Sequence, residues 1–170
     1  MCYLCNHNYN YHFKKNEIMN KTCVIYGSST GTCEDIAKRI GAKLGLSDDA
    51  IIDVANLKAE DVADCQNLLL GTSTWGAGEL QDDWYDGLKT LQGADLNGKT
   101  VAIFGCGDAE SYSDTFCGGM AEIYNGLADY DDSEAVVDGK FVGLALDEVN
   151  EDDKTDERID AWLDSFKSEL

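Results

Sequence analysis

The sequence predicts an α/β protein with a five-stranded, doubly wound parallel sheet. Three observations favour this fold class. Short apolar runs alternate along the chain with segments whose apolar residues recur at helical spacing. The 170 residues suit a single domain. Three segments rich in glycine and hydroxyl side chains each follow an apolar run, which is where open α/β sheets place their ligand-binding loops.

Five short apolar runs have the composition of parallel strands buried on both faces. They occupy residues 22–26, 50–54, 67–71, 100–105 and 141–146. The segments between and after them are predicted to be helical because their apolar residues lie three or four positions apart. These helices cover residues 33–46, 57–65, 79–91, 113–128 and 155–169.

The charge of the chain restricts its partners. It carries 13 basic and 33 acidic side chains, a net charge of −20. Such a chain repels nucleic acid and anionic membrane surfaces, and it attracts proteins that present basic patches. No apolar stretch approaches the roughly 20 residues of a membrane span. The first 18 residues contain no continuous apolar region, so we expect no signal peptide. We also expect the protein to be cytoplasmic and monomeric.

The N-terminal segment differs in composition from the rest. We expect residues 1–18 to be a disordered tail or a non-native start, and residues 19–170 to form the domain. A metal site at Cys2, Cys5, His7 and His12 is not favoured, since the spacing is not that of a zinc finger. The seven cysteines are odd in number and scattered, which indicates reduced thiols.

The first glycine-rich loop, residues 27–33, joins the first strand to the first helix and is suited to an anion. Helix N-termini present unpaired backbone N–H groups, and serine and threonine hydroxyls add donors. The loop lacks the Gly-Lys-Ser/Thr of a P-loop, because Gly31 is followed by Thr32. It also lacks the GxGxxG spacing of a dinucleotide fingerprint. A helix entry rich in capping residues is the alternative.

The second and third loops each bring an aromatic ring to the predicted strand ends. Trp75 lies among small residues in the loop at 72–84, and Tyr112 lies in the loop at 105–112. Two such rings on neighbouring strand ends can sandwich a planar ligand. Trp84 falls on a helical pattern and is predicted to be a core residue.

Four quoted stretches together carry a resemblance to a known family. GSSTGTCEDIAKRI, GTSTWGAGELQDDW, FGCGDAESYSDTFC and VVDGKFVGLALDE stand in this order from residue 27 onwards. The set resembles the flavodoxins, specifically the long-chain group. The resemblance implies a flavodoxin-like fold and a non-covalently bound FMN. It also implies a low-potential one-electron carrier that is not an enzyme, with flavodoxin reductase and low-potential oxidoreductases as partners.

The resemblance also implies which residues contact FMN. The phosphate would be held by hydroxyls and backbone N–H groups, without a cation, and the ring by the two aromatic loops. The Gly76–Ala77 peptide matches the family's backbone contact to flavin N5, which favours the one-electron-reduced ring. The implied contacts are Ser28, Ser29, Thr30, Gly31, Thr32, Cys33, Thr72, Ser73, Thr74, Trp75, Gly76, Ala77, Gly78, Cys106, Gly107, Asp108, Tyr112 and Phe116.

Two departures from the family pattern stand out. Cys33 replaces a threonine at the end of the phosphate loop, so a strong donor becomes a weak one and FMN should bind somewhat less tightly. The interval from Asp129 to Lys140 is too short for the half-strand and the loop that long-chain relatives carry there. We expect the site to persist with lower stability and altered docking.

Two other functions remain as alternatives. One is an FMN-dependent NAD(P)H or quinone reductase of the same fold, which would need room for a second substrate against a ring that two aromatics cover. The other is a cofactor-free interaction domain. A phospho-receiver is excluded, because the third predicted strand ends in Leu70-Gly71-Thr72 without an acidic phosphoacceptor.

Overall fold

The computed structural model describes residues 21–128, 143–147, 152–166 and 170. The strands are β1 (Thr22–Gly27), β2 (Ile51–Asp53), β3 (Asn67–Trp75), β4 (Glu79–Leu80), β5 (Thr100–Gly107) and β6 (Gly143–Asp147). The helices are α1 (Thr32–Leu44), α2 (Ala59–Asp64), α3 (Trp84–Gln92), α4 (Gly118–Ala128) and α5 (Thr155–Phe166). The predicted tail at 1–18, the shortened interval at 129–140 and the Cys2, Cys5, His7 and His12 set lie outside the described residues.

Five parallel strands form the sheet in the order β2-β1-β3-β5-β6. The two-residue strand β4 pairs with β3 in the antiparallel direction. The chain leaves β1 for β2 on one side and continues through β3 and β5 on the other. The strand order therefore reverses between β1 and β3, which makes their carboxyl ends the switch point of the sheet. The prediction of a doubly wound parallel sheet is confirmed, and the sequence missed only the short β4.

Helices cover both faces of the sheet, as the apolar patterns require. Helices α1 and α5 pack on one face around Ile36, Ile40, Trp162 and Phe166. Helices α2, α3 and α4 cover the other face, whose core includes Trp84. None of the helices in the described part of the chain combines the length and the apolar character needed to cross a bilayer.

Most boundaries lie within about two residues of the predicted ones, and three differ by more. Strand β3 continues to Trp75 instead of ending at residue 71, because β5 pairs with it as far as Ser73 and β4 pairs with its last two residues. Helix α3 begins at Trp84 because residues 79–80 form β4. Helix α4 begins at Gly118, since a short 3-10 turn occupies Ser113–Thr115.

Trp84 connects the two strands that flank the switch point. Its side chain is fully buried, which confirms the prediction of a core residue. The indole Nε1–H donates a hydrogen bond of 2.8 Å to the Gly71 carbonyl in β3. A Cβ atom at Gly27, the last residue of β1, would lie 2.5 Å from Trp84 Cδ1. The indole therefore packs over the ends of both β1 and β3, on the sheet face that α3 covers.

The expectation of reduced thiols is wrong for two of the described cysteines. Cys23 in β1 and Cys65, immediately after α2, form a disulfide with their Cα atoms 5.9 Å apart. Both are fully buried. Cys33, Cys106 and Cys117 are thiols in this structure. The pairing follows from the topology, because the chain enters β3 beside β1 and brings Cys65 next to Cys23.

Reduction of the Cys23–Cys65 bond is expected to lower the free energy of unfolding by about 2–4 kcal/mol, since the bond closes a loop across a separation of 42 residues. The measurement is urea unfolding with and without a reductant. A Cys65→Ala variant serves as the matched control and should show no response to the reductant. An equal shift in wild type and variant would contradict the assignment.

Candidate functional site

Three loops leave the same edge of the sheet. Strand registers place Gly27 opposite Thr72 and Thr72 opposite Gly105. The carboxyl ends of β1, β3 and β5 therefore stand side by side. The glycine-rich loops that follow these strands surround the switch point between β1 and β3, which is the expected ligand site of such a sheet.

The loop between β1 and α1 presents donors toward an anion. Gly31 has a φ of +94°, and its N–H donates to Ser28 Oγ at 3.1 Å. Within the described residues, the N–H groups of Ser29, Thr30 and Thr32 have no hydrogen-bond acceptor in reach. Because these N–H groups precede or open a 13-residue helix, they can bind an anion together with their own hydroxyls.

Two acids stand in the first turn of α1, where they would oppose an incoming anion. Glu34 is paired with Lys38, whose Nζ lies 2.5 Å from the carboxylate, and Asp35 is paired with Arg39 at 3.5 Å. The hydrogen bond to Glu34 raises the pKa of Lys38 above its ordinary value. Each acid is therefore compensated by a cation one turn further along the helix.

An aromatic cavity of about 200 Å³ opens at the ends of β3 and β5. Trp75 and Tyr112 are among its lining residues and are 43% and 55% exposed. Large aromatic side chains normally lose most of their surface on folding, so these two present ring faces that a planar ligand can cover. The complete lining is Thr74, Trp75, Gly76, Gly107, Asp108, Tyr112, Thr115, Phe116 and Cys117.

Trp75 is held by the sheet itself. It is the last residue of β3 and pairs with Glu79 of β4. Its indole Nε1–H donates to Ser73 Oγ at 3.1 Å, so the ring is oriented by a residue of the same strand. The sequence placed Trp75 in a loop, whereas the structure makes it the end of a strand.

A tight turn between β3 and β4 carries Gly76 and Ala77. The Gly78 N–H donates to the Trp75 carbonyl at 3.1 Å and closes the turn. Gly76 and Gly78 have φ values of +48° and +100°, a region that residues with a side chain rarely adopt. Both Gly76 and Ala77 line a second cavity of about 290 Å³ that continues toward Tyr112. The Gly76–Ala77 peptide therefore faces open space beside the aromatic cavity.

The third loop is organised by Asp108. Its Oδ1 accepts hydrogen bonds from the N–H groups of Glu110 and Ser111 at 3.0 and 2.9 Å. The Asp108 carbonyl accepts from the Tyr112 N–H at 3.1 Å. This carboxylate thus binds its own loop, and its turn sets the position at which the Tyr112 ring stands.

The structure brings together about half of the predicted contacts. Those that line the two cavities are Thr74, Trp75, Gly76, Ala77, Gly107, Asp108, Tyr112 and Phe116. The side chains of Cys33, Thr72 and Cys106 are buried, so any contact from them to a ligand would come from the backbone. Those outside both cavities are Ser28, Ser29, Thr30, Gly31, Thr32, Cys33, Thr72, Ser73, Gly78 and Cys106.

Sequence reasoning missed two residues of the aromatic cavity, Thr115 and Cys117. It also missed Ser111, Ser113 and Asp114, which line the second cavity. It assigned Thr115 and Cys117 to a helix beginning at residue 113 and named neither as a contact. Cys117 instead adopts a φ of +53° just before α4, and its Sγ lies 4.0 Å from the Leu146 carbonyl. Burial is the largest cause that raises the pKa of this thiol, from 9.0 to about 12.

Raising the pH from 9 to 11 is expected to destabilise the wild-type protein more than a Cys117→Ala variant. The unfolded thiol ionises near pH 9, whereas the folded thiol stays protonated until about pH 12. The stability that this thiol contributes is therefore complete below pH 9 and is lost as the pH rises. We expect an excess loss of about 2–3 kcal/mol in wild type by urea unfolding. If the unfolding free energies of wild type and Cys117→Ala fell in parallel as the pH rises, this expectation would be wrong.

Comparisons with known proteins agree on one family. The family model described as Flavodoxin matches residues 24–162. A flavodoxin of Nostoc sp. is 38% identical over 165 residues, covering 88% of this chain and 97% of the relative. A flavodoxin of Helicobacter pylori is 37% identical, covering 88% and 98%. Among solved structures, the Fusobacterium nucleatum flavodoxin bound to flavin mononucleotide has a TM-score of 0.74 at 28% identity, covering 88% of this chain and 98% of that protein.

Proposed function

We propose, from the premise that this chain belongs to the flavodoxin family, that it is an electron carrier working with one non-covalently bound FMN. When bound, FMN supplies a ring that accepts and releases single electrons. The chain is accordingly an electron-transfer protein and not an enzyme. An NAD(P)H or quinone reductase is not favoured, since the matched relatives are named as flavodoxins.

One observation carries the proposal. A cavity with two exposed aromatic walls stands at the same sheet edge as a hydroxyl-rich loop that opens a helix. This arrangement suits a ligand with a flat ring at one end and a phosphate at the other. We propose that Trp75 and Tyr112 cover the ring and exclude water from its faces.

The phosphate end fits the donors that the loop provides. We propose that the N–H groups of Ser29, Thr30 and Thr32 and the neighbouring hydroxyls hold the phosphate. The loop at 27–33 contains no lysine or arginine. The phosphate charge is then shared among dipoles and stays largely uncancelled, and this residual negative charge opposes the addition of electrons to the ring. The expected consequence is a low reduction potential.

Exposed acids surround the ring end of the site. Within the described residues, no lysine or arginine lines either cavity. Asp114 lines the second cavity, and Glu110 lies in the loop that carries Tyr112. Glu79 pairs with Trp75, and Asp82 and Asp83 follow β4. Their negative charge should lower the reduction potential of the ring, as the phosphate charge does. By contrast, the cations Arg39 and Lys43 lie on α1 and pair with Asp156 and Asp160 on α5.

Flavodoxins exchange electrons with redox partners, and we propose that the partners of this chain dock basic surfaces on these acids. Flavodoxin reductases and low-potential oxidoreductases are the proposed donors and acceptors. We also propose a monomer, because the exposed large hydrophobic residues of the described chain are Trp75, Tyr85 and Tyr112, of which two belong to the site. A cytoplasmic location is proposed on the ground that three of the five described cysteines, Cys33, Cys106 and Cys117, are thiols, although Cys23 and Cys65 are bonded to each other.

Titration of the apoprotein with FMN and with riboflavin tests the proposal. FMN should bind with quenching of its fluorescence, and riboflavin, which lacks the phosphate, should bind at least about 100-fold more weakly because several charge-assisted hydrogen bonds are lost. FMN affinity should also fall below about pH 6, where the phosphate gains a proton. Equal affinity for both ligands, or no binding of either, would exclude the proposed site.

A further inference from the structure

The first residue of α4 touches the turn that carries Gly76 and Ala77. A Cβ atom placed on Gly118 would lie 2.8 Å from the Gly78 carbonyl oxygen and 2.9 Å from Gly78 Cα. Both neighbours are backbone atoms, which cannot rotate away as a side chain could. The two glycines therefore bring the start of α4 and the β3–β4 turn closer together than any other residue at position 118 would allow.

Two further contacts hold the same turn from its other sides. The Gly119 N–H donates to Thr74 Oγ1 at 3.2 Å, which ties α4 to the end of β3. A Cβ atom on Gly78 would lie 3.1 Å from Thr115 Cβ, so the turn is also packed against the segment that precedes α4. The turn is consequently supported from below by α4, while Gly76 and Ala77 at its tip are exposed.

We propose that Gly118 is a positioning residue that sets how far the Gly76–Ala77 peptide reaches toward the ring of the bound cofactor. This inference rests on the proposed function. Gly118 lines neither cavity, and it acts by letting the Gly78 backbone settle directly on α4. Any displacement of Gly78 is transmitted through the closed turn, because its N–H is bonded to the Trp75 carbonyl.

A methyl group at position 118 would push the turn outward without removing a contact from the core. Alanine also favours a helix more than glycine does, so α4 itself should form as before. The substitution therefore separates the position of the turn from the stability of the fold. A backbone group at the turn that hydrogen-bonds the cofactor unequally in its redox states would change the separation between the first and second reduction potentials.

The experiment compares Gly118→Ala with Gly126→Ala in the same helix. At Gly126 a Cβ atom would meet only the Leu88 methyl groups, at 3.2 Å and 3.4 Å, and the end of the Gln92 side chain, all of which can move. Both variants and wild type are loaded with FMN and titrated anaerobically. We expect the comproportionation constant of bound FMN to change by about two- to tenfold in Gly118→Ala, the range of one weakened hydrogen bond, and to stay unchanged in Gly126→Ala.

A second readout needs no cofactor. In the apoprotein, the NMR amide shifts of Gly76, Ala77 and Gly78 should change in Gly118→Ala and stay unchanged in Gly126→Ala. In wild type, a nuclear Overhauser contact between the α protons of Gly78 and Gly118 should be present, which keeps the inference testable even if the variant does not fold.

The outcomes separate the inference from the proposed function. Wild type that binds no FMN overturns both. The inference alone is overturned if wild type binds FMN and the Gly118→Ala variant has the same comproportionation constant and the same amide shifts as wild type. The inference is also overturned if the nuclear Overhauser contact between Gly78 and Gly118 is absent in wild type.

Discussion

Replacing Trp84 by alanine is expected to lower the free energy of unfolding by about 4–5 kcal/mol, which is a large part of the stability of a domain of this size. The indole is fully buried, and its removal leaves a cavity on the sheet face over the ends of β1 and β3. The Gly71 carbonyl also loses the hydrogen bond that it accepts from the indole. Urea unfolding of the apoprotein measures the change, and a thermal midpoint should fall in parallel.

Trp84→Phe and Trp75→Ala are the matched variants for this measurement. Phenylalanine fills much of the space but cannot donate to Gly71, so it should cost about 1–3 kcal/mol. Trp75 is substantially exposed, and its replacement by alanine should change apoprotein stability by less than about 1 kcal/mol. If Trp84→Ala were no more destabilising than Trp75→Ala, the assignment of Trp84 as the connection between the two strands would be wrong.

Replacing both Trp75 and Tyr112 by alanine is expected to weaken FMN binding by at least about 30-fold while leaving the fold intact. Stacking of a planar ring on one aromatic side chain is worth about 1–3 kcal/mol, and this site offers two such rings. Fluorescence titration of the apoprotein gives the affinities of the single and double variants. The two single losses should add approximately if each ring covers its own part of the ligand.

Tyr85→Ala is the control for this prediction. Tyr85 is 50% exposed on α3 and lines neither cavity, so its loss should not change FMN affinity. A double variant with wild-type affinity would show that the ring binds elsewhere. A loss of affinity in Tyr85→Ala as well would mean that truncation of any surface aromatic disturbs the protein, and the stacking assignment would lose its support.

The core strands were predictable because parallel strands that are buried on both faces consist of continuous apolar runs. The extension of β3 was not, since Thr72, Ser73 and Thr74 have the composition of a loop. Thr72 and Ser73 are nevertheless buried, because β5 provides a hydrogen-bonding partner along their whole length. The end of a strand in a parallel sheet depends on its neighbour, and the neighbour is not visible in the local sequence.

The aromatic walls of the site could be inferred from two rings placed among small residues, and the anion loop from its hydroxyls. Thr115 and Cys117 could not, because their place in the cavity depends on where α4 begins, and helix starts without a clear capping residue are poorly marked. The Cys23–Cys65 bond was missed for a related reason. Its partners are adjacent only after β1 and β3 pair, and a spacing along the chain does not reveal this.

The two rings of the site belong to parts of the protein that differ in how much structure must open to move them. Trp75 pairs with Glu79 of β4, and its indole is bonded to Ser73, which lies within the part of β3 that β5 also pairs, so displacing Trp75 disturbs the end of a central strand. Tyr112 follows a local turn that the Asp108 side chain and carbonyl hold together. Opening this turn breaks only a few hydrogen bonds. We therefore expect bound FMN to enter and leave on the Tyr112 side of the site. Loading and release can proceed through this side while the central sheet remains folded.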